Sequence, residues 1–233
     1  MIEKLKSLFE KYNIEYDDEK LKKLCLFYDA VILKNQVMNL TNITDPYDFA
    51  VKNILDSVLP VNIIPKNSRV VDVGAGAGFP SIPLAIMRPD LGVLMIDSLN
   101  KRVAFLQDVI TKLKLKNCQA LHYRAEDLAA NRREQFDVSV SRAVASLPTL
   151  AEYCLPLVKV GGIMIAYKSL KAEEEIEKAK KAINILGGNV DFLQNVFVKE
   201  IESIRVNVVI KKKQSTPAMY PRGKNLPKTK PIE

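Results

Sequence analysis

Through residues 1–60 apolar side chains recur at three- and four-residue steps. The stretches EKLKSLFEKY, EKLKKLCLFYDAVILKN and DPYDFAVKNILDSVL each carry one apolar stripe and predict helices. Asp45 before Pro46 supplies an N-cap and a first-turn proline for the third. From Arg69 the rhythm changes. Short apolar runs (RVVDVG, GVLMIDS, CQALHYRA, FDVSVSRA, GGIMIAYKS) alternate with helix-period segments at 80–88, 100–115, 126–133, 146–157 and 172–186. That alternation predicts a mostly parallel, doubly wound α/β sheet, covered on both faces, with right-handed crossovers. VDFLQNVFV and SIRVNVVIKKK then follow one another with no helix between them, which predicts an antiparallel addition at one edge. With PKNS (65–68) as a boundary, the expected organisation is a helical region 1–65, an α/β domain 66–212 and a tail 213–233.

Composition narrows this picture. A length of 233 residues suits one α/β domain with an extension. No run of eighteen apolar residues exists, so no membrane span is expected, and the charged start MIEKLKSLFEKY lacks the apolar centre of a signal peptide. Cys25, Cys118 and Cys154 are scattered and odd in number, and His122 is the only histidine. The expectation is a reduced cytoplasmic protein, a monomer without a metal site, its thiols packing as small hydrophobes.

The net charge of +8 is concentrated at one end. Residues 211–233 carry seven Lys or Arg against Glu233 alone, a net of +6, which leaves +2 for everything else. A basic, proline-bearing tail on a nearly neutral body suits an anionic partner, nucleic acid first. A solubilising disordered tail is the rival reading.

The candidate chemistry begins at VVDVGAGAGFPSIPLAI (70–86), a buried strand, a glycine turn and a helix with Pro80 at its start. Glycines at 74, 76 and 78 give G-x-G-x-G, but the dinucleotide fingerprint needs Gly or Ala where Phe79 stands. No Gly-Lys-Ser/Thr follows, so the phosphate-loop pattern fails as well. Asp72, at the carboxyl end of the first strand, would repel a pyrophosphate. It suits the ammonium and sulfonium of S-adenosylmethionine (AdoMet), unless it merely caps the turn. Asp97 ends the second strand and can accept from both hydroxyls of an adenosine ribose, or cap the helix that follows. At the RAED corner Ala125 offers backbone contacts and Glu126 an acceptor for an exocyclic amine, with Asp127 a competing cap. Phe79 packs on the ligand or on the sheet.

The fourth strand ends in SRAVASLP. It lacks the Asp/Asn-Pro-Pro-aromatic turn that suits methylation of an exocyclic base nitrogen. Cys154, in an amphipathic helix, reads as core, not as a nucleophile for pyrimidine carbon 5. Arg142 remains, a fork for guanine O6, a phosphate or the cofactor. Guanine N7 fits such a site, because its lone pair carries no proton and needs no general base; catalysis is then alignment, with Arg142 as the positioning group.

The chain resembles the small-subunit ribosomal RNA methyltransferase G family, also called glucose-inhibited division protein B. The resemblance rests on NLTNI (39–43), ILDS (54–57), DVGAGAGFPSIPLAI (72–86), DSLNKRVAFL (97–106), RAE (124–126), SRAVASL (141–147) and the tail YPR with P-K-x-K-P, all in order. It implies a Rossmann-like class I methyltransferase fold with a helical N-terminal part, and AdoMet-dependent N7 methylation of one guanine in bacterial 16S rRNA. It also implies cofactor contacts at Gly74, Phe79, Ala125, Glu126 and Arg142, with Asp97 on the ribose; Asp72 and Gly76 complete the expected set. Two positions depart from the family pattern: Asn53 stands where a histidine is frequent, and the tail after Arg222 reads Gly-Lys-Asn-Leu-Pro. Both touch the RNA-facing parts.

The expected RNA contacts are Lys168, Tyr220, Arg222, Lys224, Lys228 and Lys230, with Tyr220 stacking on a base and the cations on phosphates. Proline spacing predicts an extended tail whose deletion weakens RNA binding and leaves AdoMet affinity nearly unchanged. The rival functions are a nicotinamide-dependent dehydrogenase, a class I methyltransferase of another RNA, a protein or a metabolite, and a non-enzymic RNA-binding module.

Overall fold

The computed structural model describes residues 1–232. Its frame is a seven-stranded sheet in the order β3-β2-β1-β4-β5-β7-β6. The strands are β1 (Arg69–Val73), β2 (Gly92–Asp97), β3 (Cys118–His122), β4 (Phe136–Arg142), β5 (Val158–Lys168), β6 (Gly188–Val198) and β7 (Ser203–Lys212). The first five run parallel, with Val71 opposite Leu94 and Asp72 opposite Val140. β7 is antiparallel to both β5 and β6, the edge addition expected from two consecutive strands. The chain order reverses between β1 and β4, so the crevice at this switch point opens beyond the carboxyl ends of the strands.

Ten α-helices accompany the sheet among the described residues: α1 (Ile2–Lys11), α2 (Asp18–Asn35), α3 (Pro46–Phe49), α4 (Asp56–Val58), α5 (Ser81–Met87), α6 (Asn100–Lys112), α7 (Ala125–Asn131), α8 (Leu147–Cys154), α9 (Ala172–Ile185) and α10 (Leu226–Thr229). Strand residues alternate between two buried cores, which is why the strands read as unbroken apolar runs. Val70, Met95 and Val140 join one core with Phe9, Leu21, Phe27, Phe49 and Ile54 of the N-terminal helices. Val71, Val73 and Ile96 join the other with α7, α8 and α9, where Cys154 is fully buried and its thiol pushed up to about 12.

Two segments differ from the sequence expectation. The helix expected over 45–59 starts as anticipated, with Asp45 accepting from the N–H groups of Tyr47 and Asp48. It then widens into a π-helix, Ala50–Leu55, between α3 and α4. Single π turns of this kind re-aim side chains and recur at functional sites.

The tail is the second difference: it folds back along α8 and ends in α10 instead of running extended. Local polar contacts outweigh the bias of its prolines. Glu152, fully buried in α8, accepts the Arg222 backbone N–H at 2.8 Å and its guanidinium at 2.9 and 2.6 Å. Thr149 donates to the Pro227 carbonyl, and Glu134 accepts from the Thr216 N–H. Lys212 is buried at the root of the tail, donating to the Leu155 carbonyl and bonded to Thr216. Burial drives its pKa down to about 8 against the pull of Glu134. Part of the tail's positive charge is therefore spent inside the fold.

Candidate functional site

The turn between β1 and α5 shapes the crevice. Gly74 and Gly78 lie at φ +77° and +97°, where a side chain is strained. A Cβ on Gly74 would come within 2.5 Å of Val144, so the turn touches the loop after β4 with no room to spare. The N–H groups of Gly74 and Ala75 both donate to the Ile96 carbonyl, which ties the turn to the end of β2.

Asp97 completes that tie. Its Oδ2 accepts from the Gly76 N–H at 2.9 Å and its Oδ1 from the Leu99 N–H at 2.9 Å. The capping role weighed against ribose binding is thus occupied, yet each oxygen keeps a second lone pair. The carboxylate is 4% exposed, with Arg102 at 3.5 Å.

Two cavities meet here. One, about 600 Å³, is lined by Gly74, Asp97, Tyr123, Ala125, Glu126 and Lys228, among others. The other, about 480 Å³, is lined by Thr41, Gly76, Phe79, Arg102, Arg142 and again Asp97. The crevice therefore collects seven of the eight residues expected around a cofactor: Gly74, Gly76, Phe79, Asp97, Ala125, Glu126 and Arg142.

Asp72 is the exception and corrects the expectation of direct ligand contact. It is fully buried and borders neither cavity. Strand alternation turns it to the same face as Val70, under α5, instead of out of the strand's end. Neither of its oxygens has a hydrogen-bond partner. Burial raises its pKa to about 7, against the opposing influence of Ser81 and Arg142.

Arg142 is held from below. It donates to the Lys52 carbonyl (3.0 Å), Asp56 (2.8 Å) and Asn53 Oδ1 (2.9 Å), all on the π-helix and the turn after it. Its guanidinium also lies 4.9 Å from the centre of the Phe79 ring. Phe79 packs between Phe27 and Phe49 of the N-terminal helices, so those helices build the crevice wall. A third cavity of about 390 Å³ adjoins the crevice across Asn53 and Arg142, with Asp56, Tyr167, Lys168 and Arg205 among its other walls.

The expected RNA-facing residues separate. Lys168 is engaged, donating to the Ala145 carbonyl and to Glu175, and it props the loop after β4. Arg222 is paired with Glu152, and Tyr220 is half-buried against the α7–α9 core. Lys224 and Lys230 are exposed on the tail. Lys228 is exposed too and lines both halves of the crevice, together with Asn225 in one of them. Sequence reading marked Asn53 as RNA-facing but missed its bond to Arg142, and it missed Asp56 and the tail anchor Glu152. Asn53 and Asp56 fall in or beside the quoted ILDS motif, but their partner Arg142 is some ninety residues away in the chain.

Comparison with known proteins gives the chain its family. The family described as rRNA small subunit methyltransferase G matches residues 20–204. The chain is 40% identical to the ribosomal RNA small subunit methyltransferase G of Lactobacillus johnsonii over 228 residues, covering 95% of each chain. It is 42% identical to the protein of that name from Staphylococcus aureus over 234 residues, covering 99% of this chain and 98% of the relative. Among solved structures it is similar in fold to M. jannaschii TYW2 in complex with AdoMet, with a TM-score of 0.57 and 20% identity over 69% of this chain and 76% of that one.

Proposed function

Because the chain belongs to the rRNA small subunit methyltransferase G family, whose activity is AdoMet-dependent rRNA methylation, we propose that its crevice directs a methyl group to N7 of one guanine in 16S rRNA. The observation that carries this reading is Asp97, which fastens the glycine turn through Gly76 while keeping free lone pairs on the wall shared by both cavities.

The crevice fits AdoMet. Gly74 and Gly76 leave bare backbone where a phosphate-binding loop would need further donors, and Asp97 and Glu126 place carboxylate oxygens where ribose hydroxyls and an adenine amine can donate. When bound, AdoMet supplies an electrophilic methyl on a sulfonium. Phe79 and Arg142 close the far end of the crevice, and Phe79 keeps water from that wall by being itself packed on Phe27 and Phe49. Guanine N7 attacks with a lone pair that carries no proton, so the protein has no proton to move. Its task is alignment, and oriented approach alone can account for roughly 7–11 kcal/mol of barrier reduction. Arg142 serves as the positioning group, its own orientation fixed by Lys52, Asn53 and Asp56.

Lys228 stands where the crevice meets solvent, and with Lys224 and Lys230 it offers charge to rRNA phosphates. Arg222 anchors the segment that carries them. The chain acts in this reading as a cytoplasmic monomer on the small subunit or its precursor. Methyl-group mapping of 16S rRNA from cells with and without the gene tests it. One guanine losing its N7 methyl in the deletion supports the reading; an unchanged map refutes it.

A further inference from the structure

Asn53 has an orientation fixed by its partner. Because Arg142 can only donate, the Asn53 atom facing it at 2.9 Å is Oδ1, and the Nδ2 donor points elsewhere. That Nδ2 is buried and has no hydrogen-bond partner. An amide donor left unmet inside a protein costs free energy, so an acceptor that arrives with a ligand gains from meeting it. Asn53 forms the wall common to the crevice and the third cavity.

The third cavity carries both signs. Asp56 and Glu175 place carboxylates in it beside Lys52, Arg142, Lys168 and Arg205, and each acid, though paired with Arg142 or Lys168, keeps further lone pairs. A base that sets an acceptor against Asn53 and donors against these acids has the pattern of guanine, with O6 as acceptor and N1–H and the 2-amino group as donors. Adenine sets an amino group where O6 stands and would oppose donor to donor. O6 and N7 share one edge of guanine, so a donor holding O6 presents N7 beside it, toward the crevice. Three of the five Arg142 N–H donors are committed to Lys52, Asn53 and Asp56, and the Asn53 amide adds a neutral donor at the same wall.

We propose that Asn53 Nδ2 donates to O6 of the target guanine and selects guanine over adenine at the methylated position. This rests on the N7-guanine reading above.

The test is a two-by-two comparison of enzyme and base. Wild type and Asn53→Asp, which keeps an acceptor for Arg142 and loses the donor, are assayed on 16S rRNA with guanine or 2-aminopurine ligated at the target position. 2-Aminopurine keeps N7 and the 2-amino group and lacks both O6 and the N1–H. Wild type should lose about tenfold to a hundredfold in kcat/KM on 2-aminopurine, and in the variant that loss should shrink by about fivefold or more, leaving only what the missing N1–H costs. A purely structural role for Asn53 would slow both bases equally and leave the ratio at its wild-type value, which overturns the proposal. So would a wild-type ratio near one, a result that needs no variant and stands even if Asn53→Asp fails to fold. A matched fall in S-adenosylhomocysteine affinity with the base ratio unchanged would assign the amide to the cofactor instead, again against the proposal. If wild type transfers nothing to N7 of the unmodified guanine, the functional reading has failed, and that outcome is seen separately.

Discussion

The two walls of the crevice are built in opposite ways. The wall formed by Gly74, Gly76 and Asp97 comes from one strand-turn-helix unit and its neighbouring strand end, within about twenty-five residues of chain. The facing wall joins Arg142 of β4 to Lys52, Asn53 and Asp56 near the N-terminus, and closes with Asn225 and Lys228 of the tail. The first wall depends on backbone conformation and has one way to form. The second depends on side chains meeting across the fold, and can vary without disturbing the sheet. In the proposed reading the local wall fixes the ribose end of the cofactor, and the assembled wall bears the choice of substrate.

The strongest way to break the assembled wall is to remove the buried anchor of the tail. Glu152→Ala leaves Arg222 without its partner, and because that guanidinium is only partly buried the loss of these charge-assisted hydrogen bonds costs about 1–3 kcal/mol. Chemical denaturation should show that loss, and crevice affinity for S-adenosylhomocysteine should fall several-fold, because Asn225 and Lys228 lose their support. That outcome differs from the expectation that deleting the tail leaves AdoMet affinity nearly unchanged, and the measurement decides between them. Unchanged affinity in a folded Glu152→Ala protein would separate the tail from the crevice.

Breaking the local wall should act on ligand binding more than on stability. Asp97→Ala removes the Gly76 and Leu99 hydrogen bonds together with the ribose acceptor; at about 1–3 kcal/mol for such bonds, calorimetry should find S-adenosylhomocysteine bound about a hundredfold more weakly. Asn at this position keeps one acceptor and should lose less.

Asp72 offers a test through pH. With a native pKa of about 7 against an ordinary 3.8, it holds its proton in the folded chain across a range where the unfolded chain has released it. Its ionisation therefore opposes folding: stability falls as pH rises from about 4 to about 7 and levels off above. Asp72→Asn should remove this slope and be the more stable protein at pH 8, by on the order of a few kcal/mol. Parallel denaturation curves for the two proteins from pH 5 to 8 would contradict that account.

The smallest expected change concerns the exposed tail lysines. Replacing Lys224 and Lys230 by Ala should weaken rRNA binding uniformly and reduce the logarithmic salt slope by about 0.7–0.9 for each phosphate that is no longer neutralised. An identical slope would place the RNA elsewhere.

The sheet was legible because its strands are buried on both faces. Val70 to Val73 and Val93 to Ile96 serve two cores and leave unbroken apolar runs, so order and type followed from pattern. The glycine turn was legible because a backbone at φ +77° needs its residue type. Asp72 was misread because its position at the end of β1 says nothing about which face it takes; the alternation that buries Val70 buries it too. The π-helix left no trace in the apolar spacing, and the ion pair that folds the tail links Arg222 to a glutamate seventy residues earlier. Charge counts treated Lys212 and Arg222 as free cations, although one is buried and the other paired.

In the proposed function the crevice bounded by the glycine turn and Asp97 is the AdoMet site. A crystal structure with S-adenosylhomocysteine tests it most directly. The account predicts the ribose hydroxyls against Asp97, the adenine beside Ala125 and Glu126, and the methionine part along Gly74–Phe79 toward Arg142. Ligand density elsewhere, with this crevice empty, would contradict it.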